Sequence, residues 1–323
     1  MRSAAPYGGV MPRDTLSISC GVIDQLTRLG VAVPPHDAEL TTEAYFAFWR
    51  EVAGGDARTE LGLAIGAAVY GKTVSSEAAL QAPTLGDALR TLGRYKRLAC
   101  PEDVIVEVSG GEASVRFEWV LATGEVPALL VDAIFAAHVA LVAHGTGGKV
   151  APLRIELARK RRHAELLRNH FRCPIVFGAT HDRVVFAAPA LAIPLLTANR
   201  AAYERLVPGL EATLIGKRSL VGDVRIAIAR TISAGARPSV ETVAHRLDTS
   251  PRTLQRRLGK ARTTFQDQLD DIRRVAARRL LEVTALAPID IAFLLGFAEP
   301  NSFVRAFRSW ERTTPLRWRA ARS

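Results

Sequence analysis

Cysteine is scarce in this chain: three in 323 residues, at Cys20, Cys100 and Cys173. They are far apart, odd in number and form no CxxC pair, which excludes a disulfide framework and a zinc ribbon and leads us to expect a cytoplasmic protein. Long apolar runs are missing too. The longest, Ala128 to Ala143, carries Asp132 and His138 and falls short of the roughly 20 residues that span a bilayer, so it reads as a buried helix and no membrane is expected. The opening MRSAAPYGGVMPRD has no continuous apolar stretch of the kind a signal peptide needs. Catalytic constellations are equally absent. No Ser/His/Asp order or paired-acid motif stands out, and Gly145-Thr146-Gly147-Gly148-Lys149 lacks the GxxxxGK[ST] spacing of a phosphate loop. His163, His170, Cys173 and His181 match no ligand spacing. Neither an enzyme nor a metal or other cofactor is therefore expected.

Positive charge is abundant, and it is unevenly placed. Lys217 to Ser323 holds 21 Lys and Arg against 10 Asp and Glu, whereas Met1 to Gly216 holds 22 of each. The whole excess of +11 thus lies in the last third of the chain. A basic segment is often no more than a solvated face. Here it coincides with a repeated pattern that suits a polyanionic partner, and neutralised phosphates would make binding salt-sensitive.

That pattern is a short helix, a tight break and a second helix with basic or amide residues outward. In the first copy Val240, Val243, Ala244 and Leu247 share one helical face. Asp248-Thr249-Ser250 breaks the helix, and Ser250 can cap a second one opening at Pro251, where a missing N–H costs nothing. Leu254 and Leu258 then point inward, leaving Arg252, Thr253, Gln255 and Arg256 outside. In the second copy Pro288 opens a helix with Ile291, Ala292 and Leu295 on one face, and Gly296 ends it. Pro300 opens the next, with Phe303, Phe307 and Trp310 inward and Asn301, Ser302, Val304, Arg305 and Arg308 outward. Two helices joined by a turn of three or four residues form a helix-turn-helix, whose second helix enters the major groove of DNA.

Between the copies Phe265, Leu269, Ile272, Ala276 and Leu280 keep helical spacing. Residues 265–282 make about 27 Å of helix. Such a connector suits two recognition helices set about 34 Å apart in successive major grooves. Asp270 and Arg274 are expected to pair on its surface. Arg252 and Arg256 have the geometry for guanine O6/N7, Gln255 and Asn301 for adenine N6/N7, and Arg305 for a base edge. Arg308, Arg262 and Arg312 are expected at phosphates.

From about Ser239 to Arg319 the chain resembles the DNA-binding domain of AraC/XylS-type bacterial transcription regulators. The resemblance runs through Ala244, Leu247, Ser250, Leu254-Gln255-Arg256, Phe265, Arg274, Ala277 and Leu281. It continues through Ile291-Ala292, Gly296-Phe297, Phe303, Arg305, Phe307, Pro315 and Arg319. It implies that Arg252, Gln255 and Arg256 face bases from the first recognition helix, and Asn301, Ser302 and Arg305 from the second. The chain departs from the family at Arg262 and Arg312, where glycine is usual. A side chain in a left-handed helix cap costs on the order of 1 kcal/mol, so loops of another shape are expected there.

The first 216 residues read as α+β. Helices are predicted over Asp14–Leu29, from a cap at Thr41, over Arg58–Val69 and from Thr84. A hairpin with a Gly110-Gly111 turn follows, then the buried helix Val126–His144. A strand at Leu153–Leu157, a helix at Arg161–Phe171 and strands at Ile175–Phe177 and Arg183–Ala187 come next. Leu195–Ile215 reads as helical. Leu61–Gly66 (LGLAIG) and Thr84–Leu89 (TLGDAL) resemble the arabinose-binding-type effector and dimerisation domain that precedes some AraC-type DNA-binding domains. The expected architecture is therefore an α+β effector-binding and dimerisation domain over residues 1–216. An all-α domain over residues 217–323 carries two helix-turn-helix motifs on a long linker helix.

Asp132 and His138 interrupt an apolar helix. Such groups either hydrogen-bond their neighbours in the core or line a small-molecule pocket, and both remain candidates for effector binding. The expected partners are promoter DNA, a small-molecule effector, a second copy of the chain and, for an activator, RNA polymerase. A dimeric regulator that ignores ligands, or an enzyme fused to a DNA-binding tail, are the alternatives.

Overall fold

The computed structural model describes residues 15–16, 18–35, 38, 40–54, 58–98, 102–119, 125–217 and 220–321. Asp14, where the first helix is expected to begin, lies outside them, as does Cys100. Strand β1 (Thr15–Leu16) occupies the next two positions and pairs with β2 (Leu40–Thr41). Helix α1 (Cys20–Arg28) starts later than its apolar spacing suggests, because the Ser19 hydroxyl accepts from the Val22 N–H and fixes the N-terminus there. Thr41 likewise caps α2 (Thr42–Ala53). Helix α3 (Thr59–Val69) follows, and then α4 (Val74–Leu80), which the sequence reading leaves unassigned. It is nucleated by a reciprocal capping box between Thr73 and Ser76. Thr84 opens α5 (Leu85–Tyr95), accepting from the Asp87 N–H and donating to its carboxylate at 2.7 Å.

The hairpin forms as expected from β3 (Glu102–Ser109) and β4 (Glu112–Trp119), with both Gly110 and Gly111 at positive φ. Along β4 alternate residues Ala113, Val115, Phe117 and Trp119 are buried, the period of two that a half-covered strand requires. Helix α6 (Ala128–Thr146) comes next, then β5 (Arg154–Leu157), α7 (Ala164–Phe171), β6 (Ile175–Phe177) and β7 (Arg183–Ala187). The sheet order is β3-β4-β7-β5-β6, antiparallel except for the β5–β6 pair.

Helix α6 is long and apolar enough to cross a membrane by length and composition. In the fold it is a core helix: Leu130, Phe135, Ala136, Leu141 and Val142 are each at most 2% exposed. It lies so close to α3 that a Cβ on Gly66 would stand 2.3 Å from the Ala133 carbonyl oxygen, and one on Gly62 would stand 2.8 Å from that of Leu129. These two glycines in LGLAIG are therefore a packing requirement.

Helix α8 (Arg200–Lys217) closes this half. Its Glu211 receives Arg94 and the Tyr95 hydroxyl of α5. After it come α9 (Leu220–Ser233), α10 (Val240–Arg246), α11 (Pro251–Lys260), α12 (Phe265–Val283), α13 (Pro288–Leu294), α14 (Pro300–Glu311) and α15 (Pro315–Ala320). They build two small cores. One joins Val224, Ile228, Val243, Ala244, Leu254 and Leu258, and the other joins Ile291, Leu295, Phe303, Phe307 and Trp318. Helix α12 serves both, giving Leu269 and Ile272 to the first and Ala277 and Leu281 to the second. At 19 residues it is about 28 Å long. The two halves of the chain touch at an ion pair: Arg230 on α9 reaches the buried Asp103 of β3, with Nη2 at 2.8 Å and Nε at 3.0 Å.

Candidate nucleic-acid interface

Each recognition helix is set by its own local chemistry. In the first unit the Ser239 hydroxyl caps α10 by accepting from the Thr242 N–H at 3.1 Å, and Asp248 takes a left-handed conformation in the turn. Ser250 then caps α11 by accepting from the Thr253 N–H at 3.2 Å. Leu254 and Leu258 are fully buried. The opposite face of α11 is thereby fixed outward, and it presents Arg252, Gln255 and Arg256 as exposed residues. Thr253 is half-buried, its hydroxyl receiving a bond from that of Ser250 at 2.9 Å.

The second unit reaches the same form by different means. Neither Ala287 nor Glu299 gives a side-chain cap to α13 or α14, but each helix opens with a proline. Phe303 and Phe307 are fully buried, and Trp310 packs beside them half-buried. Outward lie the exposed Asn301, Arg305 and Arg308 and the half-buried Ser302 and Val304. Arg305 Nη2 donates to the Ser302 hydroxyl at 3.1 Å, which orients the guanidinium over the start of the helix. Val304 rests against the second core, so its contribution outward is limited to part of its side chain.

The basic residues divide sharply by helix. Arg273, Arg274 and Arg278 of α12 are spent within the protein. The buried Arg273 donates to the carbonyls of Leu295 and Gly296 at 2.9 and 2.7 Å and stacks on Phe297, clamping the turn between α13 and α14. Arg274 and Arg278 both bind Glu311 at the end of α14, at 2.7 Å each. This overturns the expected surface pair of Asp270 with Arg274; Asp270 instead accepts from Gln266 at 3.0 Å. The reason is burial. The Glu311 side chain is 7% exposed, and a buried carboxylate draws two guanidiniums more strongly than a surface pair along one helix would. Burial raises the Glu311 carboxyl, but Arg278 and Arg274 outweigh it and hold the group below its usual range. In the first unit Arg225 of α9 performs the equivalent task, binding Gln268 at 3.2 Å and Asp271 at 3.1 Å.

By contrast Arg252, Arg256, Arg257, Lys260, Arg262, Arg308 and Arg312 are exposed and have no acidic partner among the described residues. Arg262 and Arg312 follow α11 and α14 with φ of 57° and 59°. The loops thus keep the left-handed form that glycine would favour, contrary to the expectation of a different shape, and two exposed guanidiniums flank the recognition helices.

Asp132 and His138 of α6 part company. Asp132 turns toward Arg159 at 2.6 Å, and burial pushes its carboxyl up to about 6 despite that guanidinium. His138 lines a cavity of about 120 Å³ between the helices of the first half. Its Nδ1–H donates to the Ile134 carbonyl at 2.6 Å, and burial, with Lys96 nearby, lowers its pKa to about 3.

Comparison with known proteins agrees with this architecture. The family described as the arabinose-binding domain of AraC transcription regulators, N-terminal, matches residues 26–195, and a helix-turn-helix domain family matches residues 243–321. The ornithine utilization regulator of Pseudomonas aeruginosa is 29% identical over 254 residues, covering 76% of this chain and 73% of that protein. The HTH-type transcriptional regulator VirS of Mycobacterium tuberculosis is 28% identical over 249 residues, covering 75% and 72%. Among solved structures, the transcriptional regulator CdpR of Pseudomonas aeruginosa is similar at a TM-score of 0.46 and 22% identity, covering 93% of this chain and 96% of that one. With one family spanning more than half of its length and a helix-turn-helix family most of the remainder, this chain belongs to the AraC-type transcription regulators.

Proposed function

We propose that this regulator reads promoter DNA with both helix-turn-helix units. Arg252, Thr253, Gln255 and Arg256 act from α11, and Asn301, Ser302, Val304, Arg305 and Arg308 from α14. One observation carries the reading: Arg273, Arg274 and Arg278 of α12 are bonded inside the protein, whereas Arg252, Arg256, Arg257 and Lys260 of α11 and Arg308 of α14 stand exposed with no acidic partner among the described residues. Leaving so many like charges uncompensated disfavours the folded chain alone and favours it on a polyanion. Arg252, Gln255, Arg256 and Asn301 are read as base contacts, and Arg262, Arg308 and Arg312 as phosphate contacts.

The first half, residues 1–216, acts as the effector-binding and dimerisation unit and the remainder as the DNA-binding unit, in the cytoplasm of a bacterium. An effector works by binding one arrangement of the dimer better than another. The Arg230–Asp103 pair is a contact such a change would disturb. Where the promoter is activated, RNA polymerase is the further partner. The test is to select the DNA sequences that the purified protein enriches from a random pool, with and without candidate metabolites. Enrichment of one motif with two half-elements about one helical turn apart supports the reading. Enrichment of no sequence overturns it.

A further inference from the structure

The cavity beside His138 has a chemistry that differs from what a sugar would need. Its walls come from α1 to α6 and the segments beside them and are mostly carbon: Ile18, Val22, Ile65, Leu92 and Leu130, with the rings of Tyr45, Trp49 and Tyr70. Its serine and threonine hydroxyls are already engaged. Ser19 donates to the Lys72 carbonyl and caps α1, and Thr73, Ser75 and Ser76 bond one another in the cap of α4. The cation on the wall, Lys96, is paired with the fully buried Glu102 at 3.2 Å. A ligand carboxylate there would have to share one ammonium with a carboxylate that cannot reach water.

Two ring nitrogens are open. With Nδ1–H committed to Ile134, the His138 Nε2 is a lone-pair acceptor with no partner among the described residues. The buried Nε1–H of Trp49 is a donor without one. Burial keeps the imidazole neutral, so no charge is offered to an anion. A cavity of about 120 Å³ is close to the roughly 150 Å³ of an engineered apolar cavity that takes up benzene, so it has room for one six-membered ring.

We propose that this cavity binds a small, neutral, single-ring molecule carrying one hydroxyl group, of phenol size, whose O–H donates to His138 Nε2. The inference rests on reading the first half as a sensor, and it names the class of molecule sensed. An apolar pocket with one or two placed polar groups selects by that pairing, because a ligand that cannot answer it leaves a buried group unsatisfied.

The test uses the full chain and follows tryptophan fluorescence and melting temperature against phenol, benzene, anisole, benzoate and L-arabinose. Phenol should bind saturably, about tenfold tighter than benzene or anisole, which lack the O–H. Benzoate and arabinose should leave both signals unchanged. His138→Leu should bring phenol down to the level of benzene. Anisole on the unaltered protein asks the same question should that variant fail to fold. Arabinose or benzoate binding better than phenol, equal binding of phenol and anisole, or binding of none of the five would each overturn the proposal. DNA binding is measured separately on the same sample without ligand, so loss of the ligand reading leaves the regulator reading standing, and the reverse.

Discussion

The two helix-turn-helix units share a shape and differ in what holds it. The first is aliphatic, capped by two serine hydroxyls, and carries Arg252, Arg256, Arg257 and Lys260 on its recognition helix. The second is aromatic and uncapped by side chains, and is fastened to α12 through Arg273 and Glu311. Rings, the buried Arg273 and the two guanidiniums on Glu311 hold α14 in a network that resists local opening. Small aliphatic side chains and single caps leave α11 more dependent on short-range bonds. The first unit is thus charge-rich and lightly held, and the second firmly held with fewer free cations.

The largest test of that contrast removes a ring. Phe307→Ala should cost about 3–5 kcal/mol in chemical denaturation, enough to open the second unit, whereas Leu258→Ala in the first unit sits lower in the range of about 2–5 kcal/mol. Equal costs would erase the distinction. Glu311→Gln comes next, at about 1.5–3 kcal/mol. Because the folded carboxyl lies below its unfolded value of 4.5, its contribution is fully present above that value and is lost as pH falls through the lower folded one. The wild type should therefore lose more stability on acidification than the Gln variant, and identical acid limbs in a pH series of melts would remove Glu311 from this role.

On DNA, Arg256→Ala should lose about 1–3 kcal/mol and relax preference at one base pair, while Arg308→Ala weakens all sequences alike and lowers the salt slope by about 1. Competition titrations at several salt concentrations distinguish the two. The smallest effect is expected at the caps. Ser250→Ala should cost typically about 1 kcal/mol, and Ala287→Ser should gain less, both read from the midpoint of unfolding.

Much of this is legible in the sequence, for reasons that differ along the chain. Helices with a strong apolar stripe and a hydroxyl in front, such as those opened by Thr41, Thr84 and Ser250, announce themselves because both signals are local. Helix α4 does not, since Val74–Leu80 is short and its stripe is made of Ser75, Ser76, Ala78 and Ala79, whose burial comes from neighbours distant in sequence. The misplaced Asp270–Arg274 pair has the same origin. Spacing along one helix is visible in sequence, but the arrival of Glu311 from another helix is not. His138 and Asp132 are equivalent in sequence because they share one helix, and only packing sends one to a cavity and the other to Arg159. The basic excess was countable, yet its division between consumed and available charge required α12 to be seen folded against α14.

Arg262 and Arg312 follow from the last point. Each occupies a backbone conformation better suited to a residue with no side chain, at the same place in both repeats, and each projects a cation beside a recognition helix. Glycine at either position should make the free protein harder to melt and its complex with DNA easier to dissociate by salt. If both shifts are measured, fold durability and grip on the operator are set against each other at these two sites, and an engineer could trade one for the other there with a single codon.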